Sequence, residues 1–517
     1  MSLSRTVTRR LFLGGLAVTG TAVALTVASP SFAESFRPGL LHTDADFTRI
    51  RAKLAAEDPV VTAGWLRLTA NGRSHATWLP RPLATVIRGG PGQNYAQFFI
   101  DVHAAYQNAL RWRISGDEAH AKAAAGILNA WSGTLTQVTG NADRFLAAGI
   151  YGYQFAVAAD LLRDYPGFDL AAARRLLTGV FYPLNDQFLV GHNDACITNY
   201  WANWDLCTLA SMMAIGILCG DRALFDRAVD YLKNGDGNGA IPKAVPILHG
   251  DLGQWQEAGR DQGHAVMGVG LLGTICEMAW NQGVDLYGYD DNRFLKGAEY
   301  VARYNAGNDV PFAEYHWGTG QNCAPRTHTV VSDAGRGHVR PVWESIYNHY
   351  VNRRGLSAPN VTVMAASVRA EGGGGDYGSA SGGFDQLGFG TLMFTRDRAA
   401  ETAAAQSAPP AGVVTSAGSS SASVVRRSRG TRTPAAAPIR PSTAVSSPAT
   451  PPRGLDLARQ QSSTDDPAGV LAGVAGVGTA AAALGGALLL RLRTRHRGDH
   501  REPTAPGGSN RKPDPSA

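Results

Sequence analysis

Two stretches of this chain are apolar on every side of a helix: "AVMGVGLLGTICEMAW" (residues 265–280) and "WDLCTLASMMAIGIL" (204–218). A surface helix keeps a polar face for water, so a helix without one has to be covered all round by other elements. Each follows a dense polar sequence. They therefore predict a protein whose innermost layer is helix, wrapped by a second layer of helix.

The rest of residues 34–398 fits that demand. Apolar residues recur at three- and four-residue spacing over 96–115, 117–131, 143–164 and 171–190. In "SGDEAHAKAA" and "CGDRALFDRAV", Gly stands after one helix and Asp before the next. Gly suits the left-handed end of a helix and Asp caps the one that follows, which is the mark of a helical hairpin. No run of alternating strands appears before residue 360. No strict repeat period is visible either, which argues against an open solenoid. The expectation is all-α: an α/α toroid, an incomplete barrel of helical hairpins with a cleft at one mouth.

The ends of the chain are of other kinds. Residues 1–33 have a charged start with Arg9-Arg10, an apolar middle and the small-residue site Ser31-Phe32-Ala33. They predict an export signal of the twin-arginine type. Residues 399–466 are rich in Ser, Ala, Pro and Thr and predict a disordered stalk. Residues 467–490 hold no charged residue and are long enough to span a bilayer, and "RLRTRHR" opens the basic tail 491–517. The expected location is the cell surface, with the folded unit outside and a C-terminal helix in the membrane.

The chain's net charge of +6 belongs to these ends. Residues 1–33 contribute +3, 399–466 another +3 and 491–517 +4, which leaves the folded unit at −4. An acidic domain gives no footing for nucleic acid, and an anionic substrate would have to be met by a local cluster of cations. Five cysteines, Cys196, Cys207, Cys219, Cys276 and Cys323, form no C-x-x-C and no dense framework. The odd number leaves at least one free thiol. Cys207, Cys219 and Cys276 lie in apolar helical runs and read as buried thiols.

Three polar clusters carry candidate chemistry. "QWQEAGRDQGH" (254–264) introduces the first inner helix. On a continuous helix Glu257, Arg260, Asp261 and His264 would share one face, an acid–base–cation stripe that is also what a structural ion-pair network looks like. Its spacing matches no standard zinc motif, and no metal or cofactor is expected. "HNDACITNYWANWDLC" (192–207) introduces the second. There Asn199 and Asn203 interleave with Tyr200, Trp201 and Trp204, and amides among indoles suit a sugar, though Asn caps on a Trp core read the same way. In "GRGHVRPVWESIYNHYVNRRG" (335–355) Arg340 precedes a helix start at Pro341, with Tyr347 and Tyr350 further along. "NDVPFAEYHWG" puts Tyr315 on a predicted loop.

"ITNYWANWDLC", "QWQEAGRDQGH", "CEMAWNQGVDLYGYDDNRFLKGAEYVARYN" and "RPVWESIYNHYVNRRG", in that order, resemble the alginate lyase-like domain of polysaccharide lyases, over about residues 40–395. The resemblance implies β-elimination on a uronic-acid polymer such as alginate or glucuronan. A His or Tyr removes the C5 proton, the O4 bond breaks, and groups at the carboxylate neutralise the charge that builds up. It implies carboxylate-binding amides at Asn199 and Asn203, and catalytic groups at His264, Glu257 and Arg340 with one of Tyr347, Tyr315 or Tyr350. Trp201, Trp204, Trp255, Arg260, Gln262 and Tyr350 are expected to line the substrate. Better-known alginate lyases carry an Asn-His pair where this chain has Ile197 and Thr198, which leaves His264 as the imidazole and alginate itself open. A hydrolase on a similar toroid and a non-catalytic glycan-binding surface protein are the competing readings. The hydrolase would need two carboxylates on opposite sides of the bond.

Overall fold

The computed structural model describes residues 36–377 and 383–399. All of them lie in the first of two compact units, Met1–Ala458. The expected signal, membrane helix and tail lie outside the described residues, as does the stalk save for Ala399.

The helices are α1 (Asp44–Ala55), α2 (Pro59–Thr69), α3 (Ala96–Ser115), α4 (Glu118–Thr134), α5 (Asp143–Leu161), α6 (Leu170–Leu176), α7 (Tyr182–Gly191), α8 (Ala202–Cys219), α9 (Arg222–Asn234), α10 (Ile241–Ala244), α11 (Gln262–Asn281), α12 (Tyr289–Asn305), α13 (Trp343–Tyr347), α14 (Pro359–Val368) and α15 (Gly390–Phe394). The predicted hairpin junctions form as read. Gly116 and Gly220 both take left-handed φ of 77°, and the next residue caps the following helix, Asp117 on Ala119 N at 3.0 Å and Asp221 on Leu224 N at 3.0 Å. The segment 171–190 is not one helix: a wide π turn over Leu177–Phe181 joins α6 to α7.

Helices α3, α5, α8, α11 and α13 make the inner layer, and α4, α9, α12 and α14 pack outside them. Neighbouring inner helices run parallel. Along α5 and α8, Gly149 meets Cys207 and Gly152 meets Ser211; along α11 and α13, Gly270 meets Val342 and Gly273 meets Ile346. Phe98 near the start of α3 packs on Tyr151 and Phe155, while Arg113 at its end reaches Leu161 O at the end of α5. Residues 39–42 close the end where the inner helices stop: Leu40 N donates to Asp160 (2.7 Å), and the Asn281 amide donates to Leu40 O and Leu41 O (3.1 Å each). At the ring's seam, α15 joins α13 to α1 and α2. This is the expected α/α toroid, and α8 is its most thoroughly covered member. Ala202–Cys219 is long and apolar enough to cross a membrane, but 94% of it is buried inside the domain, so it is a core helix.

The six short strands were not legible. They pair as β1 (Thr85–Ile87) parallel to β2 (Gln137–Thr139), and as two hairpins, β3 (Ile247–His249) with β4 (Leu252–Gln254) and β5 (Tyr315–Trp317) with β6 (Arg326–His328). Each is three residues long, below any length at which alternation can be read. All precede or follow inner-helix starts.

Parallel inner helices lie close because glycine faces the contact. A Cβ on Gly149 would stand 2.6 Å from Cys207 Sγ and 2.7 Å from Cys207 carbonyl carbon, so the backbones themselves would have to part. Gly149→Ala is expected to destabilise the fold by about 1–3 kcal/mol, the usual cost of overpacking a filled interior. A denaturant titration checks this, and an unchanged midpoint would show that the α5–α8 contact is looser than described.

Candidate active site

Because the inner helices are parallel, their N-termini meet at one mouth, where unpaired N–H groups and positive dipole ends collect. Helix α8 has no cap of its own, since Trp201 gives none. The cap comes from another part of the chain: Gln256 Oε1 accepts from Ala202 N at 3.0 Å and Glu257 Oε2 from Asn203 N at 3.2 Å. The polar stretch before α11 is thus explained in part as the capping apparatus of α8.

It is not the helical stripe that the spacing predicts. Residues 255–260 form turns, with Ala258 N on Trp255 O and Arg260 N on Glu257 O, and the helix begins only at Gln262 with Asp261 as its cap. Asp261 is extended there, and Gly259 and Gly263 flank it, so the chain turns where four polar residues would otherwise line up. His264 alone of the four stands on α11. The four side chains converge nonetheless. Arg260 Nη1 binds Glu257 Oε1 at 3.1 Å, its Nε lies 3.5 Å from Asp261, and its guanidinium covers the Trp201 ring at 4.7 Å. Asp261 accepts from His264 N (2.8 Å) and pairs with His264 Nδ1 (2.7 Å).

These contacts set the protonation states. Glu257 is 0% exposed, and burial raises it from 4.5 to about 8 against the pull of Arg260. Burial works against ionising Asp261 too, but the His264 hydrogen bonds and charge and the Arg260 charge win and hold it near 2. His264 lies below the usual imidazole value because burial and Arg260 outweigh Asp261. It is therefore neutral at neutral pH, with its Nδ1 proton on Asp261 and its partly exposed ring's Nε2 bonded to nothing among the described residues.

Around this dyad lie residues of the other clusters. Asn203 is buried at the start of α8, with its Oδ1 unpartnered and its amide nitrogen only 3.8 Å from Met267 Sδ. Asn199 is half-buried in the preceding loop. Tyr315 is on β5, not on a loop; its ring stacks on Trp317 and its hydroxyl donates to Asn238 Oδ1 at 3.4 Å. Burial pushes that hydroxyl up to about 12. The Asn238 amide in turn holds Thr198 O and Tyr200 O, so Tyr315 is tied to the Asn199 loop. A disulfide between Cys196 and Cys323 fastens the same loop to the β5–β6 connection, and Cys207, Cys219 and Cys276 stay free. Arg340 is buried and pairs with Asp385 at 2.9 Å, within the electrostatic reach of His264.

Several expected contacts fall elsewhere. Tyr347 lies under Arg369, which pairs with Glu344 (2.5 Å), at the start of the last inner helix and not with His264. Tyr350 is fully buried and donates to Tyr287 O. Trp255 is core, packed on Gly268 and Gly297. Gln262 is a brace: it binds Ser332 O, Ala334 O and Asn305, and so holds the 332–338 loop over α11. Trp204 is buried against Tyr200 and Phe188. Trp201 reaches the mouth, but Arg260 and a stacked His328 cover its ring. Glu257, wholly buried, reaches no ligand and positions Asn203 and Arg260.

Two histidines at the mouth escaped the sequence reading. His328 stacks on Trp201, and burial with Arg260 and Arg326 holds it near 4. His338 has a buried, unpartnered Nε2, and burial with Arg340 holds it near 4. His328 ends β6, a strand too short to read, and His338 stands within the 335–355 cluster but before its helix, where no periodicity marks it. Only the hairpin pairing and the Gln262 brace bring them in.

Glu257 has a readable consequence. Its folded value lies above its unfolded one, so the native state favours the protonated form. That stabilisation is complete below about 4.5 and is lost as pH rises to about 8. Glu257→Gln should remove this slope, at most about 1.4 kcal/mol per pH unit. Chemical unfolding of both proteins between pH 4 and 9 tests it, and parallel curves would show Glu257 ionised in the fold.

Comparison with known proteins gives one family and a set of solved structures. Residues 92–312 match the family model described as alginate lyase. The chain is similar to alginate lyase A1-III from Sphingomonas species A1, at 14% identity and a TM-score of 0.47, covering 71% of this chain and 99% of that one. A tyrosine-to-phenylalanine variant of that lyase complexed with a tetrasaccharide gives 14% identity and 0.44, over the same shares. An alginate lyase from Bacteroides ovatus gives 14% and 0.38, over 52% of this chain and 84% of that one. No curated protein matches the chain.

Proposed function

We propose that the chain is a polysaccharide lyase, consistent with the alginate lyase family match at residues 92–312, and that it cleaves a uronic-acid polymer by β-elimination at this mouth, at the cell surface. The observation that carries the reading is the Asp261–His264 pair: a neutral imidazole oriented through Nδ1, with Nε2 unengaged, near the Asn203 side chain, whose amide nitrogen has only the long, weak contact to Met267 Sδ.

In the proposed reaction the uronate carboxylate meets the Asn203 and Asn199 amides at the start of α8. His264 Nε2 takes the C5 proton, the electron pair forms the C4–C5 double bond, and the C4–O4 bond breaks. Tyr315, held protonated by burial, donates its proton to O4 and recovers one from solvent, while His264 gives up the C5 proton to solvent. Charge grows on the carboxylate side as C5 is deprotonated, so amide donors fixed there favour the transition state over the ground state. Asp261, Arg260 and Glu257 position these groups. The hydrolase reading lacks its pair of opposed acids, since Glu257 is sealed in and Asp261 is held by His264.

His264→Ala is expected to lower turnover by roughly 10² to 10⁴, and Tyr315→Phe to lower it with KM little changed. The assay follows the ultraviolet absorbance of unsaturated uronate over a panel of alginate, glucuronan, heparinoid and chondroitin. Full activity of a well-folded His264→Ala variant would remove it from the chemistry, and no absorbance with any polymer would remove the reaction.

For the setting, we infer export through the signal at 1–33 and tethering through 399–490. The Cys196–Cys323 disulfide supports an oxidising compartment. Flexible chain averages about 5–6 Å times the square root of its length, so a stalk of this size reaches tens of ångströms from the lipid. Deleting residues 467–517 should release active enzyme into the medium with unchanged rate constants. Full-length protein found wholly in the medium, uncut, would overturn the anchor.

A further inference from the structure

The mouth extends past the reacting groups. Arg88 follows β1, its backbone N donating to Thr139 O at 2.9 Å, and its side chain turns in between the starts of α3 and α5. There the guanidinium lies against the rings of Tyr95, the residue before α3, and Tyr151 on α5, at 5.1 and 5.6 Å, with one hydrogen bond to Tyr151 Oη at 3.2 Å. It is half-buried and takes part in no ion pair among the described residues. Asp385, a carboxylate on this side, is engaged by Arg340.

Arg144, in the first turn of α5, is in the same position. It covers the Phe145 ring at 4.2 Å, binds Asn141 O at 3.0 Å and Asn193 Oδ1 at 3.3 Å, and has no acidic partner among the described residues. Asn193 continues to Tyr200 Oη at 3.0 Å, and Tyr200 adjoins Trp201, which Arg260 covers. A polar track thus leads along the mouth from Arg88 through Arg144 to the His264 dyad. Most other half-buried arginines here are matched with an acid, including Arg49, Arg163, Arg293 and Arg353. Neither Arg88 nor Arg144 has an acid in ion-pair contact among the described residues; Asp385 and Asp143 favour the Arg88 charge only from further off, so both guanidinium groups keep donors for an anion that a ligand supplies.

We propose that Arg88 and Arg144 form a distal carboxylate subsite, which binds a second uronate of the same polymer chain away from the bond that breaks. This rests on the polyuronate reading above and deepens it: the substrate must carry charge on more than the residue being cleaved. The aromatic rings fix the Arg88 fork, and the sugar carboxylate takes the face the rings leave open.

The test uses the full chain and mannuronate oligomers, a trimer and a hexamer, with the carboxyl-reduced hexamer as the neutral probe. Arg88→Gln should raise KM for the hexamer about tenfold or more, as expected for the loss of a charge-assisted hydrogen bond, with kcat within about twofold. The affinity that wild type gains between trimer and hexamer should shrink in the variant, and Arg88→Lys should restore part of it. With the carboxyl-reduced hexamer the two proteins should bind alike. An unchanged KM in Arg88→Gln, or an equal loss on the carboxyl-reduced hexamer, overturns the subsite. If Arg88→Gln does not fold, Arg144→Gln is read in its place by the same criteria. Calorimetric binding of the hexamer to wild type and to Arg88→Gln keeps the two readings apart: a hexamer that binds wild type through Arg88 but is not cleaved by it would sink the elimination and leave the subsite standing.

Discussion

Everything at the mouth follows from packing helices that have no solvent face. A helix such as α8, apolar all round, is stable only when neighbours cover it on every side, and glycines at 149 and 152 let α5 come within backbone contact of it. Neighbours laid alongside in the same direction bring all their N-termini to one end. The apolar interior thereby generates the most polar surface of the domain, because each helix start leaves donors that the core cannot satisfy. The closed end, sealed by residues 39–42 with side-chain acceptors and donors from Asp160 and Asn281, has no such surplus.

The electrostatics at the mouth are local by necessity. The folded unit carries −4, so its overall field repels a polyanion. Attraction has to come from cations that no protein acid neutralises and from amides and N–H groups fixed in place. Arg260 shows how the balance is kept: it leans on Trp201 and touches both Glu257 and Asp261, yet burial keeps Glu257 protonated. The pair is closer to a cation beside a neutral acid than to a cancelled ion pair. Asp261, which does ionise, offsets Arg260 beside His264, and it is burial first and Arg260 second that lower the imidazole's affinity for a proton and keep the ring in its basic form.

The toroid was legible because its evidence is local and repetitive. Helical period, Gly–Asp junctions and two all-apolar helices each report on a few neighbouring residues, and Gly116–Asp117 and Gly220–Asp221 fold as their side chains dictate. The site was legible only in part. His264, Asn203 and Asn199 stand at helix starts, which a sequence marks. Tyr315 could not be told from Tyr347 or Tyr350, because what separates them is a three-residue hairpin and a bond to Asn238, made across 77 positions. The helical stripe of Glu257 to His264 failed for a related reason. Spacing assumes a continuous helix, and Asp261 prefers to cap one. Trp255 looked like a sugar platform because an exposed indole and a buried one are written with the same letter; the two glycines that admit it to the core lie on other helices.

The mouth also departs from what stability alone would select. Asn203 keeps a buried carbonyl oxygen without a donor, His338 a buried nitrogen without a partner, and Arg88 a cation with no acid in ion-pair contact among the described residues. Each costs on the order of 1–3 kcal/mol relative to a satisfied or apolar neighbour. Some comparable groups elsewhere are paired, as Asp205 is by His192 and Gly239 N and Glu277 by Arg353, while others, such as His42 Nδ1 and Asn185 Oδ1, are not. What Asn203, His338 and Arg88 share is their place at the N-terminal end of the inner helices. An end of the fold that leaves amide, imidazole and guanidinium incomplete, beside helix starts that favour negative charge, is complementary to a ligand rich in hydroxyls and carboxylates.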